Sequence, residues 1–92
     1  MITVAEVKQA LRIDSTFTYS DTQIQSLIDS ATAALFATIG YDESVELIDA
    51  GVFERLLKTY VVEYVRGFYF QFDNEKQLNA LQTQLQACIK EV

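Results

Sequence analysis

The stretch VFERLLKTYVVEYVRGFYFQF, residues 52–72, decides how the rest of the chain can fold. It holds seven of the eleven Tyr and Phe residues in a protein of 92. Wound at about 3.6 residues per turn, Phe53, Leu56, Leu57, Tyr60, Val61, Tyr64, Val65, Phe68 and Phe72 share one broad arc. Glu54, Arg55, Lys58, Thr59, Glu63, Arg66 and Gly67 lie opposite, and Glu54–Lys58 and Glu63–Arg66 are spaced to support each other along the wet face. The pattern predicts an amphipathic helix about 30 Å long. In so short a chain every other element must pack on it. Val62, Tyr69 and Phe70 leave the arc and project from the polar side. Either neighbouring segments cover them, as happens to many single apolar residues, or they form a second apolar surface that meets another subunit.

Composition narrows the class. Ninety-two residues make one domain, residues 1–92, with a modest core and no room for a deep cleft. Half the residues are apolar, there is no proline, and glycine occurs only at positions 40, 51 and 67. With Ala, Leu, Gln and Glu abundant, the expected fold is all-α, a small bundle of four helices around the long aromatic-rich one. The single cysteine, Cys88, excludes an internal disulfide and gives no sign of an oxidising compartment. The N-terminus MITVAEVKQA lacks the basic and apolar regions of a signal peptide. Glu63 and Arg66 interrupt the apolar run that could otherwise be read as a membrane segment. A soluble protein made in the cytoplasm is expected.

Thirteen acids against seven bases give a net charge of −6. Such a surface repels phosphate backbones and argues against tight nucleic-acid binding, while suiting a surface past which DNA slides.

Flanking segments carry helix punctuation. Thr3-Val-Ala-Glu6 is a capping box opening a short helix with Val4, Val7 and Leu11 on its apolar side. A Ser/Thr-rich connection follows. Ser20-Asp-Thr-Gln23 is a second capping box, and Ile24, Leu27, Ile28, Ala31, Leu35 and Ile39 then recur at helical spacing up to Gly40, a left-handed stop. Ala31, Ala33, Ala34 and Ala37 slim this helix for a close crossing with the aromatic one. Residues 41–51 form an acidic connection in which Asp42, Glu43, Glu46 and Asp49 do not match the ligand spacing of a calcium loop. Val45, Leu47 and Ile48 are expected to tuck it against the bundle, with Asp49 at the start of the next helix. Asp73 or Asn74 caps a final helix reaching about Glu91. Leu78, Leu81, Leu85 and Ile89 make its stripe, narrower than a core helix shows, which suits the bundle edge or a neighbour. Cys88 beside it reads as a small buried hydrophobe.

Catalytic equipment is missing. Without histidine the usual general base and metal ligand are lost, and a lone cysteine has no partner base. No glycine-rich phosphate loop occurs. No enzyme, cofactor or metal is expected. Gly67 inside the long helix costs about 1 kcal/mol relative to alanine, so something packs closely on it, either a helix of this chain or one of a neighbour.

The segments VAEVKQALRID (4–14), DTQIQSLIDSATAAL (21–35), TIGYD (38–42) and LLKTYVVEYVRGFY (56–69) resemble the head–tail connector family of long-tailed phages, small adaptor proteins also described as head-completion or DNA-packaging proteins. The family's short first helix ends in a similar Leu-Arg-(Ile/Val)-Asp. Its pattern Asp-x-x-Ile-x-x-Leu-Ile-x-x-Ala is met by Asp21, Ile24, Leu27, Ile28 and Ala31, and its glycine turn by Gly40. The resemblance implies a helical bundle that assembles as a ring, dodecameric in the virion, beneath the portal protein. The ring would extend the DNA channel without binding DNA specifically and would dock the tail or a stopper protein. It also implies that the last helix reaches the portal through Leu78, Leu81, Leu85 and Ile89. The residues themselves suggest Val62, Tyr69 and Phe70 as the contact between subunits, since a head-to-tail ring joins two different patches of one chain. Two other readings compete: a phage-encoded module that binds and regulates a host protein, and a helix-turn-helix DNA binder. The long connection after Leu11 and the surplus of acid oppose the second.

Overall fold

A computed structural model describes residues 2–11, 20–71 and 73–90. It is all-α, with helices α1 (Val4–Ala10), α2 (Asp21–Ile39), α3 (Ala50–Phe70) and α4 (Glu75–Ala87). The connection over residues 12–19 and the inward place expected for Phe72 lie outside the described residues. The body is elongated, 47 × 23 × 19 Å.

α3 is the axis. Phe53, Leu57, Tyr60, Val61 and Val65 are buried along it, and Leu56 and Tyr64 pack partly exposed against the same core. α2 supplies Ile24, Ile28, Ala31, Leu35 and Ile39, α1 supplies Val7, and α4 supplies Leu85. The helix ends follow the sequence signals closely. Both capping boxes form, Thr3 with Glu6 and Ser20 with Gln23. Gly40 takes φ +73°, the left-handed geometry its lack of a Cβ allows. Asp49 accepts from the Val52 amide at 3.1 Å. At the turn after α2, Phe36, Tyr41 and Phe53 gather, with Tyr41 4.7 Å from Phe36 and 4.8 Å from Phe53 between ring centres.

Four expectations need correction. Phe68, expected on the inward arc, is 55% exposed. At its level α2 has only begun, and its facing side chains there are mostly Ser, Thr and Gln. Ala33, Ala34 and Ala37 point outward, and Ala31 alone of the four is buried. Ile48 does not tuck in; it is 69% exposed. The last helix stops at Ala87 instead of running to Glu91. Beyond it the backbone turns to pair with the acidic connection: Ile48 N–H donates to Cys88 O at 2.8 Å and Lys90 N–H to Glu46 O at 2.9 Å. Leu47 and Ile89 thereby form an isolated antiparallel bridge, and Lys90 Nζ lies 3.4 Å from a Glu46 carboxylate oxygen. These backbone groups are satisfied by each other rather than by another helical turn. Cys88 is half-buried at this corner.

Two core positions test this arrangement by stability. Leu85 has no exposed surface, so Leu85→Ala should cost about 2–5 kcal/mol in urea unfolding. The Thr32 hydroxyl is buried without a hydrogen-bond partner. Thr32→Val should therefore raise stability by about 1 kcal/mol by the same measurement.

Candidate assembly surfaces

Phe68 and Phe70 project at the C-terminal end of α3, each 55% exposed. They sit on different sides of the helix. Phe68 borders a shallow groove of about 320 Å³ whose other wall is the first half of α2, with Ser20, Gln23, Ser26, Leu27 and Ser30. Phe70 borders a hollow shared with Ala10, Leu11 and Arg66. Tyr69, half-buried, meets the Phe70 ring edge-on at 4.9 Å. The tip is thus a wedge of rings flanked by two hollows. Ile48, beside the start of α3, marks a second exposed apolar point at the other end of that helix.

Val62 lies two turns before this tip, and its cleft shares Ala10 and Arg66 with the hollow beside Phe70. It is half-buried and lines a cleft between α1 and α3 with Ile2, Glu6, Ala10 and Thr59. Neighbouring segments therefore cover part of it, and Arg66 stands between Val62 and Phe70 on that side of α3. The α4 stripe faces inward. Leu78, Leu81 and Ile89 pack half-exposed against the core. Leu85 is fully buried and offers no surface to a partner while α4 stays docked, because the narrow stripe is used up on α3 and α2.

Gln71, Asp73 and Asn74 shape the turn from α3 to α4. Gln71 takes the left-handed conformation at φ +55° and stops α3. Asp73 accepts from the Glu75 amide at 3.0 Å and so supplies the side-chain bond at the start of α4. Asn74 occupies the cap position by backbone, yet its side chain makes no cap bond. Its amide nitrogen donates instead to the Glu63 carbonyl at 2.6 Å, inside α3. A Cβ on Gly67 would lie 2.6 Å from the Asn74 Oδ1 and 3.0 Å from its Cγ. Gly67 accommodates a side-chain amide, where the sequence suggested a whole helix.

Electrostatics tie α1 to its neighbours. Lys8 pairs with Asp21 of α2, and Lys58 of α3 lies 3.0 Å from the Glu6 carboxylate. The Lys58 ammonium holds the Glu6 carboxyl below its ordinary value; burial opposes this, and the Thr3 amide and hydroxyl add to the lowering. The Glu6 carboxylate in turn raises Lys58. Within the acidic connection, the Ser44 hydroxyl and then the Ser44 amide lower Asp42. Burial, with the neighbouring Tyr64, pushes the Tyr60 phenol up. Among the described residues no group of Asp, Glu, His or Cys is arranged to hold a metal ion, and no helix is long and apolar enough to cross a membrane.

Fold and surface define a class: an all-helical protein with a closed core and an aromatic tip. The chain belongs to the family described as phage gp6-like head-tail connector protein, which it matches over residues 1–91. That family is one of structural virion proteins, and membership implies interaction with phage head and tail components and a place in the virion. No curated protein and no solved structure matches the chain.

The Glu6–Lys58 pair gives a pH signature whose sign is fixed. A carboxyl lowered in the fold contributes fully above its unfolded value and loses that contribution as pH falls through the folded one. A raised ammonium contributes fully below its unfolded value and loses it as pH rises through the folded one. Lys58→Met should therefore be less stable than the unaltered chain near neutral pH. The gap should close on acidification into the carboxylate range, as read from urea midpoints across a pH series.

Proposed function

We propose that this chain is a subunit of a ring that assembles beneath the portal protein of the filled head, dodecameric in the virion. The ring extends the DNA channel and docks the tail or a stopper protein. The observation that carries this reading is the exposed aromatic tip of α3 on a chain whose family is the head–tail connectors. Rings left uncovered in this way suit a subunit that completes its burial against neighbours.

Phe70 leads the contact between subunits, with Tyr69 bracing its ring and the uncovered part of Val62 adding at the α1 side. The portal is met by α4 through the exposed parts of Leu78, Leu81 and Ile89; Leu85 serves only as the anchor beneath them. The surplus of six negative charges keeps DNA moving past without specific binding. Before assembly the subunit resides in the host cytoplasm.

Phe70→Glu puts a charge where an apolar contact forms and removes nothing from the core. Purified with its portal and examined by native mass spectrometry and electron microscopy, the unaltered chain should form rings on portal. Phe70→Glu should retain less than about one-tenth of that assembly with an unchanged helical circular dichroism spectrum. Wild-type assembly by both Phe70→Glu and Phe68→Glu would remove the aromatic tip from the interface.

A further inference from the structure

Gly67 and Asn74 each run against local preference. A glycine in a helix interior is unfavourable, and Gly67 stands in the last turns of α3. A buried side-chain amide is unfavourable unless bonded, and Asn74 is 6% exposed. The two meet at one contact. The space a Cβ would take at Gly67 is held by the Asn74 amide, whose nitrogen reaches the Glu63 carbonyl at 2.6 Å. Capping does not explain Asn74, because Asp73 supplies the bond to the Glu75 amide and Asn74 supplies none.

The contact extends toward the aromatic tip. Asn74 Nδ2 lies 3.5 Å from Glu63 Oε2, and Glu63 Oε1 lies 3.7 Å from Arg66 Nε. Arg66 shares its hollow with Phe70. Residues 67–70 are the turn that carries Phe68, Tyr69 and Phe70, and α3 ends there on a left-handed non-glycine residue, Gln71. A helix end of this kind frays unless something beyond it binds back. Asn74 binds back from the far side of the turn at the base of that segment, on the Glu63 carbonyl and against Gly67, where the last turn leaves the body of the helix.

We propose that Asn74 is a positioning residue for the aromatic tip, a side-chain clamp seated on Gly67 that holds the last turn of α3 formed and so presents Phe68 and Phe70 ready-made to a neighbouring subunit. Its part in assembly rests on the ring reading given above; its part in holding the turn does not. An interface held in shape before binding spares the cost of ordering it on contact.

Asn74→Asp keeps the shape, loses the N–H donor and sets a carboxylate beside Glu63. Gly67→Ala crowds the clamp from below. Amide hydrogen exchange on the full chain should show Phe68, Tyr69 and Phe70 exchanging at least about tenfold faster in both variants. Amides of Ile28 and Leu35 in α2 should keep their rates. Adding Asn74→Ala to Gly67→Ala relieves the crowding without restoring the clamp, so the urea midpoint should recover while tip exchange stays fast. In parallel, both single variants should assemble on portal less than the unaltered chain. Unchanged tip exchange in Asn74→Asp, or equal acceleration in every helix, would overturn the proposal, since Asn74 would then be idle or a general stabiliser. Fast tip exchange with undiminished assembly would uphold the clamp and count against the tip as the ring contact.

Discussion

The burial of one face of α3 against three other helices is the constraint on which the structure depends. Phe53, Leu57, Tyr60, Val61 and Val65 leave almost no surface to solvent, and each of the other helices contributes at least one side chain to the same cluster. Short helices such as α1, with seven residues, do not stand alone in water. They exist because α3 provides a surface to dock on. Capping boxes set where α1 and α2 begin, and the Glu6–Lys58 and Lys8–Asp21 pairs tie α1 to α3 and α2. Exposed pairs add little to stability individually; their value here is in register.

That cover runs out before α3 does. α2 begins at Asp21 with polar residues, so the last turn of α3 has aromatic side chains and little apolar surface of its own chain to receive them. A single globule would end α3 sooner or place polar residues on that turn. Keeping Phe68 and Phe70 there fits a head–tail connector, whose work is to join other proteins. The acidic surface fits the same role.

The fold could be read from the sequence wherever the signal was local and periodic. Helical spacing found the buried side of α3 as far as Val65, and capping chemistry found the starts of α1, α2 and α3. What escaped was set by distance in the chain or by supply of partners. The outward turn of Phe68 depends on what α2 offers opposite, and periodicity within α3 cannot report that. Ala33, Ala34 and Ala37 carry too little side chain to declare a face. The pairing of residues 46–48 with residues 88–90 joins two stretches far apart in sequence, each too short for a strand pattern. At Gly67 the close approach was legible, but its partner was a side-chain amide and not a helix. Of the surface residues, Phe70 was legible as exposed because it leaves the arc. Leu85 was not legible as buried, since a narrow stripe looks the same whether it faces the core or a neighbour.

α4 is fastened to α3 at both of its ends. Asn74 grips the finish of α3 where α4 begins, and the Leu47–Ile89 bridge ties the stretch after α4 to the loop that leads into α3. Two rods joined at both extremities behave as one stiff strut, unable to splay like a hairpin held only by its bend. The aromatic tip and the acidic loop thus stand at opposite extremities of a helix pair tied twice.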